Sequence, residues 1–128
     1  MLRIYLWVNA LLYIVFAVWC TLLWQRTAQH LGYVEFTNAG NSEYLVIYGG
    51  LQLGMGLFFA ISALKPTLHQ AGLLFAVLLY SCIVVYRLIT VIVFSPVAHI
   101  TLAIAALEGV LLMVALWLFF TKRDATLR

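Results

Sequence analysis

The sequence predicts an all-α integral membrane protein, a four-helix transmembrane bundle with both termini cytoplasmic. Three observations predict it. Hydrophobic residues make up 66% of the chain and charged residues 9%, where a soluble domain has roughly half apolar and a quarter charged residues. The mean hydropathy is +1.11. The apolar residues gather into four runs at 4–24, 44–64, 71–94 and 97–120. Each is about 20 residues or slightly longer, enough for a helix to cross a hydrocarbon core ~30 Å thick while satisfying its own backbone. The 128 residues leave room for one domain, 1–128.

The first run, 4–24, offers only Asn9, Cys20 and Thr21 as partly polar positions, so it carries no polar face for a soluble bundle. It follows Arg3, as a signal peptide would, but its apolar core is too long and no A-x-A-like site follows. A retained helix is expected.

The segment 25–43 is the one long connection. It carries Arg26, His30, Glu35, Asn38 and Gly40. Leu31, Tyr33, Val34 and Phe36 make it more apolar than a plain linker, so it is either a lid on the outer surface or an ordinary interfacial loop. Gly40-Asn41-Ser42 reads as a turn into the second helix, with Asn41 or Ser42 as its cap.

The second run, 44–64, is rich in glycine. Gly49, Gly50, Gly54 and Gly56 lie in one stretch, and Gly50-x-x-x-Gly54 has the spacing that lets two membrane helices approach closely. Packing against another helix of the same chain is favoured over a homodimer seam. Pro66 stops this helix, leaving a short connection at 65–70.

The third and fourth runs are joined by Ser95-Pro96, read as a cap followed by a first-turn proline. They are therefore antiparallel neighbours. With the N-terminus inside, the inner side carries Arg3, Lys65, Lys122, Arg123 and Arg128, and the outer side only Arg26. That asymmetry sets the orientation. Tyr5, Trp7 and Trp117 then fall near the inner surface, and Trp24 and Tyr44 near the outer one. The net charge of +3 is scattered over helix ends, which speaks against nucleic acid as a partner.

Arg87 and Glu108 are the only formally charged residues well inside the four runs. A charge in hydrocarbon costs a few kcal/mol and usually finds a partner. Counted from the Ser95-Pro96 turn, Arg87 lies roughly 10 Å deep and Glu108 roughly 16 Å deep, within reach of an arginine side chain. An Arg–carboxylate bond between them is expected. Tyr48 and Gln52 share a face of the second helix, Tyr80 and Thr90 share the arginine's face, Thr101 lies seven residues above Glu108, and His99 sits near the outer mouth. Tyr48, Gln52, Tyr80, Arg87, His99 and Glu108 are the candidate ligand-binding residues of an outward-facing polar cavity. A polar network that only locks the bundle is the competing reading.

Asn9, near the inner end of the first helix, is expected to bond across helices or to headgroups. Cys20 and Cys82 have no C-x-x-C spacing and read as two buried small hydrophobes. His30, His69 and His99 lack ligand spacing, so no metal is expected, and no catalytic or phosphate-binding motif is present, so neither a catalytic residue nor a cofactor is assigned.

The Tyr48-Gly49-Gly50 start with Gly54 and Gly56, followed by Arg87-Leu88 and by Glu108, resembles an uncharacterised family of small four-helix bacterial membrane proteins grouped with the DoxX-like proteins. The resemblance runs from about Glu43 to Phe120. It implies the four-helix fold and a multi-pass protein of a bacterial inner membrane, and no established activity. Such proteins carry an acidic-glycine turn between helices 3 and 4, where this chain has Phe94-Ser95-Pro96.

The function expected first is binding of a lipid, quinone-like or other amphiphilic molecule, with the bilayer as constant partner. A small dimeric transporter, or an accessory subunit bound to a partner membrane protein, is the alternative. A membrane enzyme ranks below these.

Overall fold

A computed structural model describes residues 1–33, 37–94, 96–97 and 99–126, with side chains through Thr121. Among the described residues the protein is helical, with no strand. Four helical stretches are long and apolar enough to cross a membrane: Leu2–Leu22, Asn38–Leu64, Pro66–Val93 and His99–Thr121. The chain divides into two compact units, Met1–His69 and Gln70–Arg128.

In the first unit α1 (Leu2–Leu22) ends at Leu23, and the chain turns directly into a short helix, α2 (Trp24–His30). Much of the expected loop is therefore helix. Trp-Gln-Arg-Thr-Ala-Gln-His contains mostly fair helix formers, and the Thr27 hydroxyl is held by the carbonyls of Leu23 and Trp24, each at 3.1 Å. Gly32 closes α2 at φ +92°. Its N–H donates to Gln29 O and that of Tyr33 donates to Ala28 O, each at 3.0 Å. That is a Schellman closure, which needs a left-handed residue and so favours glycine.

The second span starts at Asn38, six residues earlier than expected. Thr37 is the cap of α3 (Asn38–Tyr44), its hydroxyl accepting from Gly40 N at 3.2 Å. This replaces the expected cap at Asn41 or Ser42. Threonine caps nearly as well as asparagine or serine, and starting at Thr37 adds a full turn. Val34, Glu35 and Phe36, counted above as loop, lie outside the described residues. The helix continues through a π-helical segment, Leu45–Leu51, into α4 (Gln52–Leu64).

α1 and α4 pack along their length through a heptad-like stripe. Ala10, Ile14 and Thr21 on α1 meet Gly49 and Gly56 on the second span. A Cβ on Gly56 would sit 2.6 Å from Ile14 Cγ1, 3.0 Å from Ile14 N and 3.2 Å from Ala10 O, and one on Gly49 would sit 2.8 Å from Thr21 Oγ1. Nothing lies within 4 Å of a Cβ on Gly50 or Gly54. The close approach thus uses the seven-residue spacing of Gly49 and Gly56, about 130° around the helix from Gly50 and Gly54. Leu6, Phe59 and Ala63 complete the buried seam. Asn9 is fully buried there and donates within its own helix, Nδ2 to Tyr5 O at 2.8 Å.

α4 ends at Lys65, extended as a residue before proline must be. Pro66–Leu68 forms one 3₁₀ turn leading into α5 (His69–Val93).

The second unit is built on α5 and α6 (His99–Thr126). Because α6 begins at His99, Pro96 lies before the helix and is not its first-turn proline; Ser95, the expected cap, lies outside the described residues. On α5 the buried stripe is Leu73, Ala76 and Tyr80, and on α6 it is Leu111, Ala115 and Leu118. Both follow three- and four-residue spacing, one face of a helix.

Candidate functional site

Seven residues beyond Tyr80, the stripe of α5 reaches Arg87. Three residues before Leu111, the stripe of α6 begins at Glu108. Arg87 lies six residues from the end of α5 and Glu108 nine residues into α6, roughly 9 and 14 Å along their helices. The arginine side chain spans the difference. Its Nη2 donates to Glu108 Oε1 at 2.8 Å and its Nε to Oε2 at 3.0 Å. This is a two-pronged, charge-assisted bond, the strong class of side-chain interaction. The arginine side chain remains 30% exposed and the glutamate 14%.

The surroundings are apolar. Tyr86, Leu88, Ile89 and Leu107, next to the two charges in sequence, are exposed on the outer sides of their helices. In hydrocarbon each charge by itself would be costly; paired, they form a compact dipole. Thr90 donates its hydroxyl to Arg87 O at 3.1 Å, so it serves the backbone and not the carboxylate. Tyr80 is buried two turns away on the same face, Thr101 is half-buried and His99 is exposed at the start of α6.

The other two candidates belong to the first unit. Gln52 is half-buried at the start of α4. Tyr48 is taken up by an aromatic cluster that the sequence did not announce. Its ring stacks on Tyr44 at 4.7 Å, meets Tyr33 edge-on at 6.3 Å, and its hydroxyl lies 3.2 Å from that of Tyr33. The Tyr44 hydroxyl donates to Thr27 Oγ1 at 2.9 Å, with Cys20 Sγ 3.7 Å away. The signal was present as Tyr44 and Tyr48 four residues apart, but Tyr33 and Thr27 join only because α2 folds back.

A half-open groove of about 380 Å³ runs beside this cluster, walled by Val18, Thr21 and Leu22 of α1 and by Gly49, Gly50 and Leu53 of the second span. It is apolar, and neither Tyr48 nor Gln52 lines it. Cys20 is buried and Cys82 exposed, both as free thiols. Among the described residues no three His, Cys, Asp or Glu side chains gather as metal ligands would.

Compared with known proteins, residues 1–119 match a family model described as a domain of unknown function, DUF4345. No curated protein and no solved structure matches the chain.

Proposed function

The chain belongs to the DUF4345 family, a domain of unknown function, and since that membership assigns no activity we propose that it is a multi-pass membrane protein binding an amphiphile at the Arg87–Glu108 pair. The observation that carries this reading is the pair's setting. It is fully formed, lies within apolar helices, and leaves the guanidinium 30% exposed. An anionic or carbonyl head can approach Arg87 without first breaking the bond to Glu108, in a medium where a charge-assisted contact is little screened. Intramembrane ionisable residues mark ligand or ion sites by default. Tyr80 and His99 are the further contacts on the same unit.

The same reading takes both termini as cytoplasmic, on the Lys and Arg asymmetry. It takes the membrane as a bacterial inner one, which is what the resemblance to the DoxX-like proteins implies. Kinship with the DoxX-like proteins rests on the Tyr48-Gly49-Gly50, Arg87 and Glu108 pattern. A second reading, an accessory subunit seated on a partner membrane protein, is favoured by one observation. Few residues of the third and fourth spans are buried, which leaves long helix faces for a neighbour.

Native mass spectrometry of the mildly extracted protein tests the first reading. The wild type should carry a small-molecule adduct that is absent from Arg87→Ala and Glu108→Gln. A wild type without adduct, with variants that are merely less stable, would make the pair structural and move attention to partner proteins.

A further inference from the structure

The groove between α1 and the π-helical segment has the form of a slot for one hydrocarbon chain. It lies within two membrane-spanning stretches and follows the seam between them, so it runs in the direction that lipid chains take. From Leu45 to Leu53 it extends roughly 12 Å at helical rise. Spread over that length, 380 Å³ is a cross-section of about 30 Å², against roughly 80–110 Å² for a helix 10–12 Å in diameter. A helix from a second copy could place only one side chain per turn into it. A linear chain fills it continuously.

The chemistry of the wall agrees. Thr21 carries the one hydroxyl among the lining side chains, and it is already spent on Ala17 O at 2.8 Å. No side-chain donor in the wall is therefore left for a polar group, and in a wall otherwise apolar the occupant's polar end lies beyond the slot. One end of the slot, at Leu22 and Leu45, lies within a turn of Trp24 and Tyr44, the residue types that gather at the headgroup level. Gly50 shapes the slot by what it lacks, since a Cβ there would meet nothing within 4 Å. We propose that this groove holds one acyl chain of a membrane lipid, its ester region level with Trp24 and Tyr44. The site belongs to the first unit alone and stands apart from the Arg87–Glu108 proposal.

The test uses the full chain, delipidated in detergent and titrated with a dioleoyl phosphatidylethanolamine, with retained lipid counted by native mass spectrometry. Gly50→Phe and Val18→Phe fill the slot from opposite walls, so misfolding of one leaves the other. Gly54→Phe is the control, because Gly54 faces open space outside the groove. The wild type should retain one lipid. Each filling variant should weaken retention about tenfold, as when roughly two methylenes lose their burial, and Gly54→Phe should not. A single-chain lysolipid should compete, and glycerophosphoethanolamine should not. An equal loss in Gly54→Phe would overturn the slot in favour of a general helix face. Retention that survives Gly50→Phe and Val18→Phe, or is lost only in an Arg87→Leu/Glu108→Leu variant, would overturn it as well.

Discussion

Arg87 and Glu108 face each other through two parallel hydrogen bonds, 2.8 and 3.0 Å long, and each stands at the end of its own helix's buried stripe. The pair therefore continues two apolar faces with one neutral unit. Removing one member leaves an uncompensated charge, and an arginine left alone within a span costs about 2.5–3.5 kcal/mol on insertion scales. Glu108→Leu should lower stability by that order. The double variant Arg87→Leu/Glu108→Leu should return to within about 1 kcal/mol of the wild type or exceed it, as replaced buried ion pairs often do. Thermal unfolding in detergent of the wild type, Arg87→Leu, Glu108→Leu and the double variant completes the cycle, and additive losses would show that the two side chains act separately.

The glycines of the second span should behave in opposite ways. Gly56→Ala drives a methyl into Ile14 N and Ala10 O, which as backbone atoms cannot swing away. A loss of about 1–3 kcal/mol is expected from overpacking. Gly54→Ala meets nothing and should gain up to about 1 kcal/mol from helix propensity. Denaturant titration followed by circular dichroism distinguishes the two, and an equal effect at both sites would contradict the seam described here.

Tyr44 ties α2 to the second span through its hydroxyl on Thr27. Both residues are buried. Tyr44→Phe should cost about 1 kcal/mol, the net worth of a typical hydrogen bond. The loss should be local: amide exchange in Trp24–His30 should quicken while that in α4 is unchanged. Uniform quickening would mean that Tyr44 supports the whole unit.

Gly32 should resist substitution for a reason unrelated to space. A Cβ there meets nothing within 4 Å, yet φ is +92°. Gly32→Ala should cost roughly 1–2 kcal/mol through the left-handed backbone alone, and Gly32→Asn less, since asparagine tolerates that region better. Equal loss for both, measured by thermal unfolding, would point to a contact as the cause.

The spans were legible because hydrocarbon thickness sets a length that few other structures need. Arg87 and Glu108 were legible because charge is rare where water is absent, and their depth could be counted from a short turn. The region between the first two spans was less so. Several residues there cap a helix about equally well, and Thr37 competes with Asn41 and Ser42 on sequence alone. The α2 helix is too short to show a period, although Gly32 after Ala-Gln-His-Leu is a stop signal of the Schellman kind. The helix seam was ambiguous because two glycine pairs, Gly50 with Gly54 and Gly49 with Gly56, occupy neighbouring faces. Only the positions of Ile14 and Thr21 on α1 decide between them. Tyr48 was read as a cavity residue, and nothing in the sequence signalled that Tyr33 would arrive beside it.

The π-helical segment Leu45–Leu51 bears on how the gene can change. A π turn bonds each residue to one five positions away and so holds about one residue more than an α turn. A single-codon deletion in an ordinary helix would rotate everything after it by about 100° and carry Gly56 off Ile14. Within Leu45–Leu51 a lost residue can be absorbed by tightening the coil to an α turn, with Gly56 and Phe59 still facing α1. The second span thus has one stretch where it can shorten without disturbing its seam.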